Sequence, residues 1–229
     1  MRSFEQLGLD QALLNTINRL GFTQPTQIQE SSIPSILNGE DVIGESATGS
    51  GKTLAFGCGV INKVRSKEGL QSLVLTPTRE LAEQVKNALV DFSSNKHLKI
   101  VAIYGGVSMG NQINELRRAN VVIATPGRLL DHLRRRTINT SKIRLLVIDE
   151  ADRMFDMVFQ RDVEKIIHSC PRERQTLFFS ATIPPTLMAF ANRHMNSPIE
   201  VFAEKMVDPE KLNQKYLNVT MNMKLPKLT

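Results

Sequence analysis

The 229-residue sequence predicts an α/β domain of three layers, a parallel, doubly wound sheet with helices on both faces. Three observations carry that expectation. Short runs that are apolar at nearly every position recur from residue 40 to residue 202, as strands covered on both faces require. Amphipathic segments separate them, giving the strand–helix alternation of parallel crossovers. A glycine-rich loop joins the first run to a helix-forming stretch.

In chain order, the runs fall at 41–44, 72–75, 100–104, 121–124, 145–148, 176–179 and 199–202. After the first, a helix is expected from Leu54 onward. Within 80–92, Leu81, Val85, Leu89 and Phe92 recur at three- and four-residue spacing, which marks the buried stripe of a helix. Leu129, Leu130 and Leu133 mark a second stripe within 127–135, and Val163, Ile166 and Ile167 a third within 162–168. Pro184 and Pro185 suit the first turn of a helix carrying Leu187, Phe190 and Ala191. Residues 203–229 break the rhythm, being polar and holding only scattered apolar residues such as Leu212, Tyr216 and Val219. They are expected to form an exit linker.

Composition narrows the class without naming a function. A chain of this length buries roughly 70–75% of its unfolded surface and needs no staple. Cys58 and Cys170 stand far apart with no CxxC or Cys/His cluster, so two buried free thiols are expected. No apolar run approaches the ~18 residues of a membrane span, and the N-terminus lacks the layout of a secretory signal. An intracellular protein, cytoplasmic or nuclear, is expected. The 29 Lys and Arg outnumber the 23 Asp and Glu, a net charge of +6 that favours a polyanionic partner.

Ligands of doubly wound sheets bind beyond the carboxyl ends of the strands, and the chemistry-bearing motifs fall there. The run 41–44 leads into Ser46-Ala47-Thr48-Gly49-Ser50-Gly51-Lys52-Thr53. Gly49 and Gly51 permit the backbone angles that turn successive N–H groups inward around phosphate oxygens. The following helix adds its positive end. Lys52 can place a charge on the β- and γ-phosphates, and the Thr53 hydroxyl can ligate Mg²⁺. The run 145–148 ends in two carboxylates, Asp149 and Glu150. Asp149 is placed to hold Mg²⁺, partly through water, and Glu150 to orient or deprotonate an attacking water. Read alone, two such acids are also a common cap of the next helix.

Residues 149–152 spell Asp-Glu-Ala-Asp, and with them the remaining motifs fall into order. The chain resembles the DEAD-box family of RNA helicases from Phe4 to about Val219. That resemblance implies a RecA-like P-loop NTPase domain using ATP and Mg²⁺. The stretch from Gly21 to Gln29 is similar to the family's Q motif. There Gln29 would read the adenine edge with an amide donor and acceptor, while Phe22 and the chain around Gln24 would pack on the ring. Pro77-Thr78-Arg79, Gly105-Gly106 and Thr125-Pro126-Gly127-Arg128 are similar to the family's RNA-backbone motifs. Their amides, hydroxyls and guanidinium groups suit phosphates and 2′-hydroxyls rather than bases, which implies sequence-tolerant binding of single-stranded or short duplex RNA. Ser180-Ala181-Thr182 resembles the coupling motif, with two hydroxyls that could bond Asp152.

The resemblance also sets boundaries: an N-terminal flank at 1–20, the ATP-binding domain at 21–205, and at 206–229 a linker into a second RecA-like domain. The family carries arginines that complete the ATP site on that second domain, and no HRxGR-like run occurs in these residues. An arginine finger is worth ~10³–10⁵ in rate, so this chain alone is expected to hydrolyse ATP barely, as a monomer. Two departures stand out: Ser46 replaces the family's usual Ala, a change with little at stake, and Val158 stands where Gly is common. The basic clusters Arg134-Arg135-Arg136, Arg117-Arg118 and 96–99 are expected to be solvated surface, and the four histidines show no ligand spacing.

Overall fold

The computed structural model describes residues 2–156 and 159–203. Val158 and the expected linker at 206–229 lie outside the described residues. Seven strands form one parallel sheet: β1 (Val42–Glu45), β2 (Ser72–Leu75), β3 (Ile100–Ile103), β4 (Val121–Ala124), β5 (Leu145–Ile148), β6 (Gln175–Ser180) and β7 (Ile199–Phe202). Their order across the sheet is β3-β4-β2-β5-β6-β1-β7. Register is fixed by pairs such as Val42 with Leu177 and Leu75 with Ile148.

Alternate strand residues feed two separate cores, as the pleat requires. Val42, Val74, Ile123, Val147 and Phe179 face one core, together with helices α1 (Gln11–Arg19), α2 (Gln27–Asn38), α3 (Lys52–Lys63) and α4 (Arg79–Phe92). Ile43, Leu75, Val122, Ile148 and Phe178 face the other. That face is covered by α6 (Pro126–Arg134), α7 (Ala151–Asp156), α8 (Gln160–Ser169) and α9 (Pro185–His194), while α5 (Met109–Leu116) contributes Leu116. The expected three layers are present. The N-terminal segment belongs to the first core as well, since Phe4, Leu7, Leu13, Leu14 and Ile17 are all buried there.

Several element boundaries differ from the sequence expectation. The helix after the glycine-rich loop begins at Lys52, because Gly51 at φ +94° serves as its N-cap and the helix takes up the chain at once. Leu81 and Leu133 are only partly buried, and Ala82 takes the stripe position on α4. Tyr104 lies past the end of β3, and Asp41 sits just before β1. The Asp41 carboxylate accepts from Thr176 N at 2.6 Å and Asn196 N at 2.7 Å, tying the starts of two neighbouring strands. On β7 only Val201 is buried, since an edge strand has a neighbour on one side only. Gly44 is needed by packing: a Cβ there would stand 2.5 Å from the Phe179 ring. Both cysteines are free and buried, and burial pushes the Cys58 thiol up to about 12. Among the described residues no helix is long and apolar enough to cross a membrane.

Candidate functional site

The strand order divides the motifs into two groups. The loops after β5, β6 and β1, which are adjacent, carry Asp149-Glu150, Ser180-Ala181-Thr182 and the glycine-rich loop. The loops after β3, β4 and β2, also adjacent, carry Gly105-Gly106, Thr125–Arg128 and Pro77–Arg79. One half of the sheet edge thus carries the glycine-rich loop and the acids, and the other the two glycine-containing loops and Pro77–Arg79.

In the first half, Lys52 is buried and its ammonium donates to Ser46 O at 2.8 Å, across the loop. Burial lowers its pKa, opposed by the charges of Asp149, Glu150 and Asp152. A buried cation held mainly by a backbone carbonyl fits a loop built to receive anionic oxygens. Gly49 has φ +80° and open space around it. Thr48 is exposed, whereas Ala47 and Thr53 are partly buried. Ser46, read from the sequence as inconsequential, has a structural role: its hydroxyl hydrogen-bonds that of Ser50 at 2.7 Å, both buried, a bond no Ala could make.

Gly51 also meets the segment before α2. Thr26 Oγ1 donates to Ser50 O at 2.7 Å, and Gln29 Nε2 donates to Gly51 O at 3.0 Å. Gln29 Oε1 in turn accepts from Thr26 N at 3.0 Å. A Cβ on Gly51 would collide with the Gln29 amide nitrogen. The side chain expected to read a base is therefore already tied to the phosphate loop, with one N–H and one lone pair still to offer. Phe22 is exposed and packs edge-on against Phe92, their centroids 6.4 Å apart. Phe22, Gln29, Gly51 and Thr53 share the wall of a cavity of about 320 Å³ with α4. Gln24 is exposed and stands outside that wall. Thr26 was not singled out in the sequence, although its capping-box spacing to Gln29 could have marked it.

Opposite the loop, Asp149 is fully buried, and burial raises its pKa to about 6 against the pull of Lys52. Its Oδ1 accepts from Glu150 N at 3.0 Å. Glu150 has φ +50°, a left-handed angle that costs a side-chain-bearing residue about 1–2 kcal/mol. Its carboxylate pairs with Arg153 at 3.2 Å. Such strain gathers where a fold must hold a group in one direction. Among the described residues no cluster of three metal-ligating side chains occurs.

Asp152 joins two strand ends. Its Oδ2 accepts from both Thr182 N and Thr182 Oγ1 at 3.0 Å, while its own N–H donates to Ser180 Oγ at 3.0 Å. Burial pushes the Asp152 pKa up, but the hydrogen bonds from Ser180 and Thr182 outweigh it and hold the carboxyl below its usual value. Both hydroxyls of the coupling motif meet Asp152.

In the second half, Thr78 Oγ1 caps α4, accepting from Leu81 N at 3.2 Å. Arg79 lies over the Tyr104 ring, 5.2 Å from its centroid. Gly105 and Gly127 are exposed, with no atom near the place a Cβ would take. Pro77 and Pro126 are buried and Thr125 is partly so, which anchors each loop while its exposed residues face outward. Arg128 is committed internally: both terminal nitrogens donate to Val107 O at 3.1 Å and one reaches Gln112 Oε1 at 3.1 Å. Gln112 also bonds His132 Nε2 at 3.0 Å and donates to Tyr104 O at 3.1 Å. Arg128 therefore braces the Gly105-Gly106 loop from beneath. Sequence reasoning gave neither Gln112 nor His132 a part in this brace.

Comparison with known proteins agrees with this arrangement. The family model described as DEAD/DEAH box helicase matches residues 26–190. An ATP-dependent RNA helicase CshA from Listeria monocytogenes is 44% identical over 210 residues, 90% of this chain and 40% of that protein. A DEAD-box ATP-dependent RNA helicase CshA from Geobacillus kaustophilus is 42% identical over 233 residues, 100% of this chain and 50% of that protein. The chain thus spans about half the length of the curated relatives it matches. Among solved structures, a DEAD box protein from Methanococcus jannaschii superimposes with a TM-score of 0.86 at 39% identity, covering 99% of this chain and 62% of that one. A hypothetical ATP-dependent RNA helicase from Sulfolobus tokodaii gives 0.79 at 36% identity, covering 85% and 57%. With the family model spanning most of the chain, and the phosphate loop and acidic strand end side by side on one sheet edge, the chain belongs to the DEAD/DEAH box helicase family.

Proposed function

We propose that this domain binds ATP with Mg²⁺ across the loops after β5, β6 and β1, and RNA backbone across those after β3, β4 and β2. In the whole protein the two events drive ATP hydrolysis coupled to local opening of short duplexes. The observation that carries the reading is the strand order, which segregates the two sets of loops into contiguous halves of one edge.

Each residue has a role in that reading. Amides of residues 47–53 and the Lys52 ammonium hold the phosphates. Thr53 and Asp149 would hold a magnesium ion, which when bound would supply positive charge against the phosphates. Glu150 orients the attacking water and accepts its proton. Gln29 reads the adenine edge and Phe22 supports the base. Asp152, bonded to Thr182, links the nucleotide loops to the end of β6. Exposed amides of Gly105, Gly106 and Gly127, with the hydroxyls of Thr78 and Thr125, contact phosphates and 2′-hydroxyls. The 229 residues by themselves turn over ATP slowly, because the arginine contribution has to come from a partner domain.

Calorimetry with Mg·ADP, together with competition between RNA and DNA oligonucleotides in the presence of an ATP analogue, tests the proposal. Binding of Mg·ADP that is lost in Lys52→Ala, and preference for RNA, are the expected results. A pocket that takes no nucleotide, or equal use of DNA, would overturn it.

A further inference from the structure

A second basic surface lies at the opposite end of the same strands. Lys67, His97, Lys99, Arg117 and Arg118, drawn from three separate loops, line a cavity of about 710 Å³ with Ser66, Gly69 and Asn120. The cavity wall includes no acidic residue and no Leu, Ile, Val, Met, Phe, Tyr or Trp. Among the described residues none of Lys67, Lys99, Arg117 and Arg118 forms an ion pair. In the sequence, 96–99 and Arg117-Arg118 read as two separate solvated clusters, and Lys67 carries no signal. The fold gathers them.

The arrangement is held in place. Asn120, only 5% exposed, accepts from Lys99 N at 3.0 Å through its side chain and donates to Gly69 O at 3.2 Å. Its own N–H donates to Lys99 O at 2.8 Å. One buried amide therefore fixes the three loops that carry the cations. Lys67 and His97 have φ of +74° and +46°, two of the side-chain-bearing residues held in the left-handed region. Strain of that kind persists only where the surroundings over-determine the backbone.

We propose that this pocket binds the phosphate backbone of the RNA held by the Gly105-Gly106 and Thr125–Arg128 loops, extending the contact around the edge of the sheet. The inference rests on the RNA reading of those loops. β3 is one of the two edge strands, and the Gly105-Gly106 loop opens at one of its ends while the basic pocket sits at the other. Helix α5 runs between them, from just beyond Gly105-Gly106 to Arg117-Arg118. A four-residue strand spans roughly 13 Å, a distance a longer RNA strand would have to cover to reach the pocket. An acidic peptide fits less well, since protein interfaces depend on large apolar anchors and no Leu, Ile, Val, Met, Phe, Tyr or Trp lines this wall to receive one.

The test compares a short single-stranded RNA that reaches only the loops with one long enough to pass around the edge. Each is titrated with the 229-residue protein in the presence of Mg²⁺ and an ATP analogue, at several salt concentrations. The expected result for the triple variant Lys99→Ala, Arg117→Ala, Arg118→Ala is a loss of about tenfold or more on the long strand. Its salt slope should flatten by about 2, since each phosphate contact on a single strand contributes roughly 0.7. Binding of the short strand and of nucleotide should be unchanged, which also shows that the variant is folded. Equal affinity of variant and wild type for the long strand overturns the proposal, as does an equal loss on both strands. A polyglutamate peptide displacing the long strand as well as RNA does overturns the RNA assignment. If the wild type binds neither strand, the RNA reading of the loops fails first and this inference falls with it.

Discussion

Replacing Asp149 by Asn should remove a pH-dependent loss of stability from the metal-free protein and, in the proposed function, abolish its use of magnesium. Burial raises the folded-state pKa of Asp149 from 3.8 to about 6. A raised carboxylate pKa means that the folded state binds a proton more tightly than the unfolded one. Stability from this group is therefore full below about pH 4, declines as pH rises to about 6, and stays flat above. The difference of about two pKa units is worth on the order of 3 kcal/mol at 1.36 kcal/mol each. Asn keeps an oxygen for the Glu150 N–H that Asp149 now accepts at 3.0 Å, but carries no charge to bury. Its extra N–H group adds a pH-independent cost, so the informative quantity is how the difference between variant and wild type changes with pH. Urea denaturation in EDTA, at points between about pH 4 and pH 8, should show that difference shifting by about 2–3 kcal/mol in favour of Asn as pH rises. Calorimetry should show that magnesium no longer strengthens nucleotide binding to the variant. A difference that is constant with pH would refute the claim that Asp149 is held against its charge.

Gly51→Ala should weaken nucleotide binding at least tenfold, because the new methyl lands on the Gln29 amide and φ of +94° strains any side-chain-bearing residue; binding within a factor of about two of wild type, measured by calorimetry, would count against it. Ser46→Ala, which deletes the 2.7 Å bond to Ser50 and leaves that hydroxyl buried, should cost about 1 kcal/mol of unfolding free energy, measured by urea denaturation.

The sheet was legible because strands buried on both faces write themselves as unbroken apolar runs, such as 145–148 and 121–124. The phosphate loop and the paired acids were legible because their chemistry is local, confined to a few consecutive residues. The rest depends on partners distant in sequence. Arg128 reads as a guanidinium free for phosphate, yet Val107 O and Gln112 hold it, 21 and 16 residues away. Gln29 reads as a free amide, yet Gly51 O, 22 residues on, accepts from it. Lys99 and Arg117 read as separate surface charges until Asn120 draws their loops together. Helix α2 was hidden for another reason: apolar residues and an internal Pro34 leave it a weak amphipathic signature. A pattern within one segment shows which residues are chemically able, whereas the fold decides which are already engaged.

That distinction bears on how a base could be sensed. Thr26 and Gln29 are bonded to each other and, separately, to two consecutive carbonyls of the phosphate loop, Ser50 O and Gly51 O. The Gln29 side chain is nearly fully buried, so it cannot swing into solvent to meet a ligand and return. Any rotation that turns its amide toward an adenine edge must stretch the bond to Gly51 O or draw that carbonyl along. Gly51 is also the N-cap of α3, and the next residue is Lys52. A displacement at residue 51 is therefore passed within one peptide unit to Lys52, the residue proposed to meet the phosphates. In the proposed function, base recognition and phosphate geometry thus share a single mechanical element, and only glycine at position 51 leaves room for the Gln29–Gly51 contact that joins them.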